Sequence, residues 1–337
     1  MVYPQTSSHR RSDGSIAVVV AAHKKFYPLE RCQESLQGCP VDRANIIFVD
    51  NGSQESLHTW AADRFPDITV IRLPENQFFC GGYNAGIRAA IDQRVQFVLI
   101  MNGDTEVVNP DFLTGLLDAA KRWPRAAFIG PLVYFRSRGV VQKTWLRFPS
   151  VLRSTLTWLP WHLIKHQETR EPWHERSVEF LNGVCVLCRV SALEEFGLMD
   201  ELFGGYVEDA DWSWRARQKG WTSLFTPVPS VIHHEEPIGY EPYSLKTFLL
   251  KRNTVFWFLK MRQRTSAFTY AGLSMSLAKM RMMLEQSELE KKNHQYFAAR
   301  LRRTYRGLLW SEEFGEWFGP PLGTWKVNAS LVETAIL

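Results

Sequence analysis

Unbroken apolar runs alternate with amphipathic stretches through the first third of the chain. The runs at 16–22, 45–50, 69–73 and 96–101 each end in polar or glycine-rich turns and carry almost no internal charge. Runs of this length bounded by turn residues read as strands buried on both faces of a sheet. Between them, helical spacing predicts helices over 28–37, 55–64, the residues up to about Asp92, and 110–122. This β-α-β-α alternation implies right-handed crossovers and a mostly parallel sheet, an α/β fold.

The pattern loosens over 133–176, where Trp145, Trp158, Trp161 and Trp173 alternate with basic residues and Pro149, Pro160 and Pro172 interrupt the period. We read this stretch as an insertion over the sheet. Regularity returns at 178–190, followed by a short helix at 191–196. A helix over 208–219 is stopped by Gly220, and short strands follow at 221–225 and 228–232. From Tyr243 the chain reads as helical, basic and aromatic. The expected organisation is a loose tail over 1–14, one α/β unit over 15–240 and a helical subdomain over 241–337.

Composition narrows the function classes. The 337 residues contain 45% hydrophobic side chains, enough for a large core, and the net charge of +5 is modest. Lys and Arg are spread along the sequence until its last third, which argues against a nucleic-acid protein. Five cysteines, an odd number in a long chain, argue against a disulfide framework and for a reducing compartment. Cys185 and Cys188 form a C-x-x-C inside an apolar run, where a strand sends them to opposite faces as core residues. Met1 to Gly14 lacks the apolar segment of a signal peptide, and no run is long enough to span a bilayer. A cytoplasmic location is expected, with peripheral contact at the inner face of a membrane.

Three clusters could carry chemistry. Asn102-Gly103-Asp104 ends the apolar run at 97–101, and ligands of open α/β sheets sit beyond such strand ends. Glu208-Asp-Ala-Asp211 opens a helix, so part of its charge complements the helix dipole. At helical spacing Glu208 and Asp211 share a face while Asp209 points elsewhere. His233-His234 closes a later apolar run. Asp104 facing a diphosphate would be repelled by roughly 4 kcal/mol per charge pair at an effective dielectric near 20, and Mg²⁺ or Mn²⁺ between them turns repulsion into a bridge. His233 or His234 could complete the coordination. Asp50, at a strand end, offers an acceptor to a base or ribose, although Asp-Asn-Gly-Ser is also a strong turn. Gly81-Gly82-Tyr-Asn84-Ala-Gly86 lacks dinucleotide-fingerprint spacing, and no phosphate-loop motif is present. These glycines read as a loop letting backbone approach a ligand, with Asn84 either capping the next helix or touching that ligand.

In order, Val49-Asp50-Asn-Gly-Ser53, Glu75-Asn76, Gly82-Tyr-Asn-Ala-Gly86, Asn102-Gly-Asp104, Glu208-Asp-Ala-Asp211 with Arg215 and Gly220, and Arg252-Asn253 resemble family 2 inverting glycosyltransferases, in particular the rhamnosyltransferase-like branch. The resemblance spans about 16–260 and implies a GT-A fold. It also implies a donor site comprising Ala22, Asp50, Asn76, Gly82, Asn84, Asn102, Gly103 and Asp104. Asp50 would contact the base, and Asp104 would hold the metal together with His233 or His234. Asp209, paired with Glu208, would deprotonate the acceptor hydroxyl, while Asp211, Arg252 and Asn253 would serve the acceptor or support the site. The implied partners are a dTDP- or UDP-sugar, rhamnose favoured, and a glycan or lipid-linked acceptor. Asn102 stands where such motifs often carry a first acid. This leaves a second expectation, a catalytically silent nucleotide-sugar-binding or scaffold subunit.

Overall fold

The computed structural model describes residues 15–23, 27–37, 39, 45–53, 57–136, 140–156, 173–234, 244–284 and 288–310. The expected tail at 1–14, Trp158, Trp161 and the chain from 311 onwards lie outside them. The first half is the expected alternation: β1 (Ile16–Ala22), α1 (Tyr27–Gln37), β2 (Ile46–Asp50), α2 (Leu57–Arg64), β3 (Thr69–Arg72), α3 (Phe78–Asp92), β4 (Phe97–Met101), β5 (Thr105–Val107) and α4 (Phe112–Arg122). There follow β6 (Ala126–Phe135), β7 (Val140–Gln142), β8 (Trp145–Leu146), α5 (Val151–Leu156), β9 (Arg176–Val178), β10 (Phe180–Leu181), β11 (Cys185–Arg189), α6 (Val190–Phe196), α7 (Glu208–Gln218) and β12 (Thr222–His233). Three long helices close the order: α8 (Leu245–Lys260), α9 (Arg264–Leu284) and α10 (Glu288–Trp310).

The main sheet runs β3-β2-β1-β4-β11-β6-β12-β5, with β7 beside β6 and β9 beside β12. Strands β3, β2, β1 and β4 are mutually parallel, and β6 pairs parallel with β12. β11 lies antiparallel between β4 and β6. The sheet is therefore mixed but mostly parallel, and β1, β2, β4, β6 and β12 all end on one rim. Alternation along each strand feeds two cores. Val18, Val20, Phe48 and Leu99 pack beneath α1, α2 and α4, whereas Val19, Val49, Val98 and Ile100 pack with α3, α6, α7 and the C-terminal helices. Cys185 and Cys188 fall into opposite cores, as period-2 geometry requires. All five cysteines are free and buried, and burial pushes the Cys32 thiol up to about 12.

Three departures from the sequence expectation have clear causes. The glycine-rich stretch is helix, since α3 begins at Phe78 and includes Gly81, Gly82 and Gly86. A Cβ on Gly86 would come 2.3 Å from Cγ1 of Val19, and one on Gly82 would come 2.8 Å from Nδ2 of Asn51, so these glycines let the helix lie against β1 and β2. The expected insertion at 133–176 begins inside β6, which was hidden by Gly130-Pro131, a sequence that reads as a break. Pro131 is tolerated because the β6–β12 register shifts between Phe225 and Ser230, where β12 carries Pro227 and Pro229. That irregularity also merges the two expected strands at 221–232 into the single β12.

α8 starts at a serine cap, with Ser244 Oγ accepting from the Thr247 amide at 3.2 Å. It is buried on every side from Thr247 to Leu259, which marks an interior helix. α9 packs on both α8 and α10. Among the described residues, no helix is long and apolar enough to cross a membrane.

Candidate active site

The rim is built by turns that spend their side chains on backbone. Ala22 ends β1 opposite Asp50, and its carbonyl accepts from the Asn51 amide at 2.9 Å. Asp50 is fully buried, its carboxylate accepting from the amides of Ser53 (3.0 Å) and His58 (3.3 Å). The turn chemistry of Asp-Asn-Gly-Ser is thus realised in the fold. Asn51, for which the motif implies no separate role, ties this turn to α3. Its Oδ1 accepts from the Gln77 amide, and its Nδ2 donates to the Phe78 carbonyl, both at 2.8 Å. Asn76 Oδ1 accepts from the Phe78 amide at 2.8 Å. Phe78, at φ 56°, is left-handed, and these amides hold it there.

Asn84 lies in the middle of α3, not at its start. Its amide is committed to the Met199 backbone and to Glu201, with Nδ2 donating to Met199 O and Glu201 Oε1 and Oδ1 accepting from Met199 N. The cap expected of it is not what the fold shows. Gly82 is likewise a packing position against Asn51.

Asn102, Gly103 and Asp104 follow β4. The Asn102 amide bonds the Val184 carbonyl, its Oδ1 lies 3.3 Å from Tyr83 Oη, and its carbonyl receives the Thr105 amide and hydroxyl. Asp104 projects from this turn with its side chain 30% exposed. Its Oδ1 stands 3.2 Å from Nε2 of His233, a residue 1% exposed. The other ring nitrogen of His233, Nδ1, faces Gln142 Oε1 at 2.8 Å. That oxygen is an acceptor, so Nδ1 carries the proton there, and Nε2 then presents a lone pair toward the Asp104 carboxylate. Two acceptor atoms facing each other at 3.2 Å require a cation or a second proton between them. His234 differs: Nε2 faces Glu106 at 2.8 Å, and Nδ1 faces Arg136 (3.1 Å) and Arg31 (3.2 Å). Both of its nitrogens are occupied within this charged group, so the two histidines have separate tasks.

The acids of α7 lie in the core shared with α3. Glu208 is 5% exposed, and with Asp209 it borders a partly open cavity lined by Phe79, Leu181, Gly183 and Trp212. Burial pushes the Glu208 carboxyl well up, and the neighbouring Asp209 adds to this. Burial also raises half-buried Asp209 to about 7, with the Ala210 amide hydrogen bond opposing the shift. Asp211 is fully buried and spoken for: Oδ2 accepts from Arg215 Nε at 2.8 Å, and Oδ1 lies 2.7 Å from Lys260 Nζ. It braces α7 against α8.

The loop leading into α7 is left-handed at Gly204 (φ 71°), Tyr206 (φ 67°) and Val207 (φ 72°). Such geometry costs about 1–3 kcal/mol at a non-glycine residue and is rare at a β-branched one. Arg252 and Asn253 reach from α8 to the carbonyls of this loop and of the residues just before it. Arg252 and Asn253, expected to serve the acceptor or support the site, bond backbone carbonyls.

The two halves are linked. Asn102 is bonded to Val184, and the adjacent Gly183 lines, with Phe79, the cavity that Asp209 borders. Among the described residues, no group of three or more His, Cys, Asp and Glu could hold a metal by itself.

Comparison with known proteins agrees with this architecture. The chain is 30% identical over 279 residues to the N-acetylglucosaminyl-diphospho-decaprenol L-rhamnosyltransferase of Mycobacterium tuberculosis, covering 73% of this chain and 88% of that one. It is 24% identical over 221 residues to the low-salt glycan biosynthesis hexosyltransferase of Haloferax volcanii, covering 65% and 67%. Its fold is similar to the crystal structure of GalNAc-T7 with UDP, GalNAc and Mn²⁺, with a TM-score of 0.56 at 16% identity, covering 86% of this chain and 55% of that one. The "Glycosyl transferase family 2" model matches residues 17–197. Mixed sheet, acidic rim and sequence kinship converge, and the chain belongs to glycosyl transferase family 2 as a glycosyltransferase with a GT-A-like fold.

Proposed function

We propose that the protein transfers a sugar, rhamnose favoured, from a dTDP- or UDP-sugar to a hydroxyl of a glycan or lipid-linked acceptor, with inversion and with Mg²⁺ or Mn²⁺. The observation that carries this reading is the Asp104–His233 pair at 3.2 Å, with Gln142 on the other nitrogen of the imidazole. A hard carboxylate oxygen and an imidazole lone pair fit a Mn²⁺-type ion whose remaining positions go to diphosphate oxygens and water. When bound, the ion would neutralise charge building on the departing diphosphate. Two protein donors would suffice for an ion that arrives with its nucleotide.

Asp209 takes the proton of the acceptor hydroxyl. The new C–O bond then forms at the anomeric carbon while the bond to diphosphate oxygen breaks on the opposite face, so the configuration inverts. A carboxylate raised to about 7 suits a base working near neutrality. Glu208 and the apolar wall keep water away from that proton. Ala22, Asp50, Asn76, Asn102 and Gly103 would frame the nucleotide, with Asp50 acting through the turn it holds. Peripheral membrane contact at the cytoplasmic face is supported by Met280, Met283 and Leu284, exposed at the end of α9 near Lys279, and by exposed Lys292, Arg302, Arg303 and Arg306 on α10. The M. tuberculosis relative is named for a lipid-diphosphate acceptor, which supports the same class here.

A thermal-shift series with UDP, dTDP and NAD, with and without Mn²⁺, tests the site. Stabilisation by UDP or dTDP should require the metal, disappear with a chelator, and be lost in Asp104→Asn and in His233→Ala. An equal response to NAD overturns the reading. The second reading, a silent nucleotide-sugar-binding subunit, is favoured by Asn102 in front of a single carboxylate. It predicts the same metal-dependent shift with no transfer to any acceptor.

A further inference from the structure

We propose that Arg252 and Asn253 of α8 are positioning residues for catalysis, clamping the left-handed loop before α7 so that Asp209 meets the acceptor hydroxyl. The inference rests on reading Asp209 as the base. Neither residue touches substrate in this account; both act through backbone.

The loop needs an outside restraint. Val207 precedes α7 without a side-chain cap hydrogen bond, and its left-handed backbone is shared by Tyr206. Asparagine or glycine at these positions would adopt that geometry with less strain, and the chain has neither. The restraint comes from α8. Asn253 is fully buried, and its Nδ2 lies 2.9 Å from Phe203 O, 2.8 Å from Gly205 O and 2.7 Å from Tyr206 O. Arg252 donates through Nη2 to Leu202 O at 2.8 Å and Phe203 O at 2.7 Å. It also donates through Nε to Asn253 Oδ1 at 2.7 Å, which fixes the amide with its N–H groups toward the loop. The remaining carbonyl, Gly204 O, accepts from the Cys80 amide at 2.9 Å. Five consecutive carbonyls, from Leu202 to Tyr206, are thus held immediately before Glu208-Asp209. Burying a guanidinium, which burial lowers to about 10, is costly where an unstrained turn would serve. The cost is intelligible if the exact placement of the next residues matters, because misplacing a catalytic group by about 1 Å slows turnover by about 100-fold.

The test is Asn253→Asp, which keeps the shape and removes both N–H donors, assayed for sugar transfer alongside hydrogen exchange and circular dichroism. The expected result is a folded protein with kcat down about 100-fold and donor KM within about twofold. Protection should be lost over 202–209, and the acid limb of the kcat/KM profile should move below its wild-type position. Adding Tyr206→Asn, which accepts left-handed backbone, should restore about tenfold of kcat. A folded Asn253→Asp protein with wild-type kcat and acid limb overturns the clamp alone. So does a loss of kcat that merely tracks loss of folded protein and is not relieved by Tyr206→Asn. Absence of transfer by the wild-type protein from either dTDP- or UDP-sugars overturns the reading of Asp209, and the clamp with it.

Discussion

Asp209 and Asp211 are two positions apart and have opposite fates. Asp211 is neutralised by Arg215 and Lys260, whereas burial raises Asp209 to about 7. A base must be ionised to work, so a pKa raised to about 7 places loss of activity on the acid side: kcat/KM should rise with pH through about 7 and then level. Asp209→Asn should lower kcat by about 10²–10⁴-fold while nucleotide affinity, read by thermal shift, is kept. Retained turnover would remove Asp209 from the mechanism. At this scale residue type is legible in the sequence and bonding partner is not. His233 and His234 cannot be told apart in the sequence, since alternation along β12 decides which one faces Asp104 and depends on strand register. The sequence leaves Asn84 as a helix cap or a ligand contact, and Arg252 and Asn253 as serving the acceptor or supporting the site. Their partners are backbone carbonyls and amides contributed by distant segments, which spacing does not reveal.

At the scale of elements, uninterrupted apolar runs were readable, and β1, β2, β3 and β4 appear within a residue or so of expectation. β6 was missed because Gly130-Pro131 reads as a break until its partner's matching irregularity is seen. α3 was misread at its start because its glycines resemble a loop. Their purpose gives a sharp prediction. Gly86→Ala gains about 1 kcal/mol of helix propensity, but its methyl would meet Val19 Cγ1 at 2.3 Å and Val49 Cγ2 at 3.1 Å. Overpacking a core costs about 1–3 kcal/mol, so a net loss is expected by chemical denaturation. Equal or greater stability would mean that α3 can lift off the sheet freely.

For the whole molecule, the helical C-terminal region was readable in outline, and its role was not. α8 is an interior helix whose last residue, Lys260, bridges Asp200 and Asp211, both at 2.7 Å. Lys260→Met should destabilise the fold by about 1–3 kcal/mol, since Asp211 is fully buried and would keep only Arg215 as a counter-charge. Partial solvation of Lys260 screens its pairing with the two carboxylates. An unchanged denaturation midpoint would show that Arg215 alone suffices.

Because α8 grips residues 200–211 through Arg252, Asn253 and Lys260 at once, the acidic end of the site and the helix behind it form a single heritable unit. A chimera that grafts the C-terminal helices of one relative onto the sheet of another would need to carry this helix-to-helix junction between α6 and α7 along with them. Recombination between family members should therefore succeed with breakpoints before Met199 and fail with breakpoints between Asp211 and Lys260.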